Sequence, residues 1–198
     1  MSNNILYGTG IVDNETGEYK TIEELFSSTG LAVEDITIER LLDGLSTTTP
    51  QEPSARGEAN AVQVDFGPTN TTNTHVHLAA NGAVTFNTSG LYRIKVALQF
   101  GRAGASGTSI ILFRVLVNGT QAGRSIISKL SSADETQYFE NDTWIYFPAG
   151  TTLTFEVMRE LSGSNFGGLI GFDPTDEGAG TWNNAPSAAI RVERLAKL

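Results

Sequence analysis

The alternation of apolar and polar positions is sharpest between Gly90 and Gly119. Tyr92, Ile94, Val96, Leu98 and Phe100 share one face of the first run, and Leu91, Arg93, Lys95, Ala97 and Gln99 share the other, because successive strand side chains point to opposite sides. This predicts a strand with one core face. In the next run Ile111, Phe113, Val115 and Val117 alternate with Ile110, Leu112, Arg114 and Leu116, so neither face reads as fully solvated. A strand that is apolar on both sides needs a second surface to cover it, and a partner subunit is the economical source. Ile110, Leu112 and Leu116 are its expected contribution to such an interface.

From about residue 60 onward, short strand patterns are separated by turn chemistry. Val62–Phe66 ends at Gly67-Pro68, His75–Ala79 at Asn81-Gly82, and Ala83–Asn87 at Ser89-Gly90. Asn81-Gly82 and Asn118-Gly119 supply the positive backbone angles of tight hairpins. Further strands are predicted over 123–130, 137–147, 152–160, 169–172 and 188–195. After Pro148-Ala-Gly150, Leu153, Phe155 and Val157 point inward while Thr152, Thr154 and Glu156 point out. Trp144 and Tyr146 share one face of their strand, and Ile145 and Phe147 the other. One pair packs a core and one is free to line an interface, to which Trp144 and Tyr146 are assigned. The fold class over about 60–198 is all-β, a sandwich or jelly roll.

Residues 1–45 read differently, as an N-terminal attachment arm with short helices. Thr21-Ile-Glu-Glu24 fits a capping box ahead of Leu25 and Phe26, with Gly30 as the stop. Asp35 is placed to cap a helix carrying Ile38, Leu41, Leu42 and Leu45, although Asp35-Ile-Thr-Ile-Glu39 also alternates like a strand; the helix is the reading carried forward. Ile5, Leu6, Tyr7, Leu25, Phe26, Leu41 and Leu42 are too few for an independent core, so they are expected to bury themselves on another surface. Residues 46–59, with Pro50, Pro53 and a run of hydroxyls, read as an extended linker.

Charge supports that boundary. The 198-residue chain carries a net −9, and residues 1–60 hold eleven acids against three bases, whereas the remainder holds eleven acids and ten bases. An acidic arm on a near-neutral body lacks the clustered Lys and Arg that phosphate contact needs, so no nucleic-acid partner is expected. Cysteine is absent, which excludes disulfides and thiolate metal sites. The start Met-Ser-Asn-Asn-Ile-Leu-Tyr-Gly lacks the basic and apolar segments of a signal peptide, and no run is long enough for a membrane span, so no membrane partner is expected.

Catalytic constellations are scarce. A serine nucleophile needs a base in reach, and His75 and His77, the two histidines, sit in one strand with no evident acid partner. On one strand face they are the sharpest metal candidates, since a His-x-His pair repeated about a symmetry axis would offer several nitrogens to one ion; an ordinary polar face is the simpler reading, and no metal or other cofactor is assigned. Asp173, Asp176 and Glu177 lie in a glycine-rich loop without ordered calcium-ligand spacing. No phosphate-binding glycine motif occurs. In the long loop over 162–187, Phe166, Phe172 and Trp182 form a possible ligand loop.

Gly90-Leu-Tyr-Arg-Ile-Lys-Val, Phe113-Arg-Val-Leu-Val-Asn-Gly, Tyr146-Phe-Pro-Ala-Gly-Thr-Thr-Leu-Thr-Phe-Glu-Val and Ala189-Ile-Arg-Val-Glu-Arg-Leu resemble, in that order, the tumour-necrosis-factor and complement-globular-head superfamily of trimeric jelly rolls. The likeness spans about 60–198 and is most similar to the versions in bacteriophage virion proteins. It implies a homotrimer with a binding or scaffolding role and no catalysis. The expectation is a capsid decoration or cement protein on the virion surface, partnered by the major capsid protein or a tail protein and fastened by its arm. The alternative is the receptor-binding head of a tail fibre or adaptor that recognises a host glycan or protein. The arm lies outside the superfamily's pattern, and no heptad or collagen-like stalk projects the head.

Overall fold

The computed structural model describes residues 5–7, 10–12, 19–21, 36–102, 107–132, 135–162, 166–172 and 182–197, which divide between two compact units, 1–39 with 195–198, and 40–194. In the first unit, β1 (Ile5–Tyr7), β2 (Gly10–Val12) and β3 (Tyr19–Thr21) form an antiparallel meander, with Ile5 opposite Val12 and Gly10 opposite Thr21. Ile5, Leu6 and Tyr7 of the expected arm are thus strand residues. Thr21, expected to cap a helix, closes β3, while Leu25, Phe26 and the rest of that capping box lie outside the described residues.

The second unit is a two-sheet antiparallel jelly roll. Its strands are β4 (Ile36–Thr47, which begins in the first unit), β5 (Val62–Gln63), β6 (Val76–Leu78), β7 (Val84–Phe86), β8 (Gly90–Gly101), β9 (Ser109–Val117), β10 (Thr120–Leu130), β11 (Thr136–Phe147), β12 (Thr151–Arg159), β13 (Gly168–Leu169) and β14 (Ala188–Lys197). One sheet runs β10-β9-β12-β7-β6, with β5 also on β12; the other runs β11-β8-β14-β4, with β13 on β8. From β7 to β12 the chain passes between the two sheets repeatedly, and because each sheet packs one face on the core, β8 and β12 alternate buried and half-buried residues along their length.

The core follows that alternation. Tyr92, Ile94, Val96, Leu98 and Phe100 of β8 face Ile111 and Phe113 of β9 and Leu153, Phe155 and Val157 of β12 in one buried cluster. Aromatic rings tie the two sheets: Phe86 stacks on Phe147 at 4.4 Å and meets Tyr92 edge-on at 4.6 Å between ring centres. Asn118 takes a left-handed φ of 51° before Gly119 at 79°, the geometry of the β9–β10 hairpin read from Asn-Gly.

Two expectations are corrected. The helix over Glu34–Leu45 is replaced by strand β4, whose pairing partner is β14. Local helical spacing of Ile38, Leu41, Leu42 and Leu45 lost to the ladder bonds that β14 offers and to the burial of Leu41 and Leu42, a tertiary override of local preference. Leu41 and Leu42 accordingly belong to the core of the body and not to an attachment arm; Leu42 is fully buried. The stretch 46–59 is not a free tether either. Gln51 and Leu169 exchange backbone hydrogen bonds at 2.8 and 3.1 Å, the Gln51 side chain brackets Asp65, and Pro53 is buried.

Candidate functional site

The outer face of the β11-β8-β14 sheet carries most of the exposed chemistry. Register sets Trp144 opposite Arg93, Asp142 opposite Lys95, Glu140 opposite Ala97 and Tyr138 opposite Gln99. Neighbouring positions on this face therefore bring opposite charges together. Arg93 donates to both Asp142 oxygens at 2.8 and 2.7 Å and reaches Glu193 of β14 at 3.2 Å, Lys95 pairs with Glu140 at 2.9 Å, and Arg40 of β4 approaches Glu193 at 3.9 Å. The result is a ladder of ion pairs across four strands.

The same contacts tune the groups. The hydrogen bond to Asp142 holds the Arg93 guanidinium above its ordinary value, and the guanidinium in turn holds Asp142 below the usual carboxylate range. Glu140 is lowered chiefly by the Lys95 ammonium, while Tyr138, donating to Glu140 at 2.8 Å, is raised by that bond. The bonds favour the charged forms of Arg93, Asp142 and Glu140 and the neutral form of Tyr138. Beside the ladder, Ala97 and Ala189 floor a shallow depression of about 160 Å³ between Lys95 and Arg191. Tyr138 and Tyr146 stand out from this face at 67% and 62% exposure.

A second feature lies at the adjoining sandwich edge, where β10 and β11 are the edge strands of their sheets. At one end the Gln137 side chain bridges the sheets through Ser128 Oγ and the Lys129 carbonyl, at 2.8 and 3.0 Å. Toward the other end a bulge in β10 between Ala122 and Ile126 interrupts pairing, and an apolar cleft of about 180 Å³ opens between Ala122 on β10 and Asn141, Thr143 and Ile145 on β11. Its floor is the core itself: Ile94, Val96, Phe113, Phe147, Leu153 and Phe155 retain 3–5% of their surface, whereas Val64, Phe66, Val76, Leu78, Val84 and Phe86 retain none.

The five residues assigned to an interface do not form one surface. Ile110, Leu112 and Leu116 lie on the outer face of the β9 sheet, Leu116 buried and the others half-buried, while Trp144 and Tyr146 lie on the outer face of the opposite sheet. Around Leu112, a groove of about 150 Å³ is walled by Met158 and by Arg114, whose guanidinium is held by Glu156 and Glu58 at 2.7 Å each.

The remaining candidates separate. His75 Nδ1 lies 2.7 Å from Thr88 Oγ1, with the Arg194 guanidinium 3.3 Å away; a fixed cation so near opposes a bound metal ion. His77 sits opposite Thr85 on β6. Among the described residues no group of three or more His, Cys, Asp or Glu side chains is arranged to hold a metal ion. Phe166, Phe172 and Trp182 are exposed, Phe166 under the Arg159 guanidinium at 5.1 Å and Phe172 bridged to Ala185 by paired backbone hydrogen bonds. Asp173, Asp176 and Glu177 lie outside the described residues.

Sequence reasoning missed the charge ladder and the edge cleft. The ladder had a signal, Arg93-x-Lys95 against Glu140-x-Asp142 at strand period, which becomes legible only once β8 and β11 are known to pair. The cleft's signal was Asn141 and Thr143 interrupting an inward row of Phe139, Ile145 and Phe147.

No family model matches the chain, and no curated protein matches it. Among solved structures, Eiger TNF from S. frugiperda is similar at 12% sequence identity and a TM-score of 0.41, over 83% of this chain and 95% of that one.

Proposed function

We propose that this protein is a non-enzymatic assembly module, a homotrimeric jelly roll that decorates or cements a phage virion through contact with its major capsid protein or a tail protein. The observation that carries the trimer is the adjacency of two uncovered surfaces: the aromatic and ion-paired face of the β11-β8-β14 sheet, and the apolar cleft at its β11 edge. Surfaces on opposite faces of a sandwich generate an open stack when copies associate head to tail, whereas a face and its neighbouring edge let the contact turn back on itself and close. The motif order of the body supports three-fold closure and a virion setting. Ile110 and Leu112 then belong to a different contact, for which the underlying particle is the natural partner.

Sedimentation of the full chain across nanomolar to micromolar concentration tests the assembly. A trimer whose stability rises with concentration is expected, and a monomer at micromolar concentration refutes it. Particles lacking the protein test the role: heightened sensitivity to heat or osmotic shock with unchanged adsorption supports cementing. Because β4 supplies core residues, a truncation that probes the arm must begin near Ile36 and not at Glu58. Such a chain is expected to fold and fail to join the particle. The second reading, recognition of a host surface, is favoured by the exposure of Trp182 and Phe172, 75% and 58%. Under it, Trp182→Ala lowers adsorption and leaves particle stability intact.

A further inference from the structure

The inward rows of the sandwich turn polar at one end. Tyr92, Ile94, Val96, Leu98 and Phe100 of β8 are followed at the next inward position by Arg102, and Ile111 and Phe113 of β9 are preceded by Ser109. A Cβ on Gly167 would lie 2.7 Å from Ser109 Oγ and 3.2 Å from the Gly101 carbonyl, which puts the hydroxyl beside the backbone that leads into Arg102.

Both groups are buried without the partners their polarity demands. Arg102 is 1% exposed; its Nε donates to the Ser132 carbonyl at 2.6 Å, but Nη1 and Nη2 make no hydrogen bond, and neither does Ser109 Oγ at 0% exposure. Taking a guanidinium out of water is costly, and the cost is recovered only when hydrogen bonds and a counter-charge replace the solvent. Water supplies the first and not the second. The acid whose charge reaches Arg102 is Glu135, and its carboxylate is committed to the Ser131 and Ser132 N–H groups and to the Gln137 side-chain amide. Arg159, buried at the inward end of β12 opposite Ile111, adds positive charge at this end of the core.

We infer that Arg102 and Ser109 form a binding site for a small oxoanion of the phosphate or sulfate class. A guanidinium carries donors alone and a hydroxyl can turn its proton outward, so the ligand that fits must accept hydrogen bonds and bring negative charge. Nη1 and Nη2 present a fork to two of its oxygens, and Ser109 Oγ donates to a third. The site lies within one chain and stands whether the protein is a monomer or a trimer.

Equilibrium dialysis of the full chain against radiolabelled inorganic phosphate tests the site. It is run on the native chain and on chain refolded in phosphate, because so buried a site exchanges slowly. About one phosphate per chain is expected, with none on Arg102→Met and at least ten-fold weaker binding to Arg102→Lys, which keeps the charge and loses the fork. Ser109→Ala is expected to weaken binding about ten-fold. An anion held by the folded chain alone also stabilises it. At about a hundred times its dissociation constant, phosphate is expected to raise the wild-type melting temperature by about 5–11 °C over chloride of equal ionic strength, at one chain concentration. Phosphate strengthens apolar burial in any protein by exclusion, so the reading is the difference between wild type and Arg102→Met. In phosphate-free buffer that variant is expected to be no less stable than wild type, since it removes a buried charge; in phosphate the order reverses. If Arg102→Met fails to fold by circular dichroism, Arg102→Lys carries the comparison. No phosphate on the wild type under either protocol overturns the site, as do equal uptake and equal thermal shifts in the wild type and the Arg102 variants. Uptake lost in Arg102→Met and unchanged in Ser109→Ala overturns the two-group site by removing the hydroxyl from it.

Discussion

Leu42→Ala asks whether β4 is a wall of the sandwich or part of a detachable arm. Leu42 is fully buried on a strand that pairs with β14, and it belongs to the same apolar cluster as Val192 and Phe66. Removing its three outer carbons forfeits roughly 0.8 kcal/mol each in transfer free energy, and the cavity left behind adds to that, for a total of about 2–5 kcal/mol. Against a whole-domain stability on the order of 5–15 kcal/mol this is a large fraction. For a chain of this length a loss of 3 kcal/mol lowers the melting temperature by about 6–12 °C. The control is on the same strand: Ile38 is 52% exposed, so Ile38→Ala is expected to cost about 1 kcal/mol or less. Urea and thermal unfolding, run at one fixed chain concentration because assembly adds to apparent stability, read both variants. If Leu42→Ala costs no more than Ile38→Ala, β4 carries no core load and the reasoning fails.

Three other expectations follow from single sites. Asp142 is held below its ordinary value of 3.8 by Arg93, so the pair stabilises above that pH and its contribution is lost as pH falls through the folded-state value; Asp142→Asn should cost roughly 0.2–1 kcal/mol at neutral pH and nothing in strong acid, by urea titration at both. Glu52 is raised by burial, an effect the Arg159 charge only partly offsets, so its ionisation opposes folding once pH rises through the ordinary value; Glu52→Gln should raise the melting temperature at neutral pH and leave it unchanged well below pH 4.5, and a loss at neutral pH would show the Arg159 attraction to be the larger. Gly82→Ala and Gly119→Ala share a left-handed φ, 78° and 79°, but a Cβ at Gly82 would collide with the Val64 carbonyl while at Gly119 it meets nothing within 4 Å; Gly119→Ala should cost about 1–2 kcal/mol and Gly82→Ala clearly more, by thermal unfolding.

What the chain determines by itself is the body's class and most of its strands. Period-two alternation over Leu91–Phe100 and Thr152–Val157, and Asn-Gly at 81–82 and 118–119, act through nearest neighbours and local φ, so they are readable before any partner is known. The tertiary structure decided three things those local rules do not reach. It turned Ile36–Thr47 into a strand, because the open side of β14 offers ladder bonds that no local helical spacing outweighs. It brought Arg93, Lys95, Glu140, Asp142 and Glu193 into one ladder, since charges some fifty and a hundred residues apart meet only through register. And it opened the cleft at the β10–β11 edge, because where two sheets part is set by a bulge and a bridging glutamine, Gln137, acting from opposite ends of the same edge. Alternation assigns each residue to a side of its own strand; which faces end up next to each other, and which core stays reachable, are properties of the pairing.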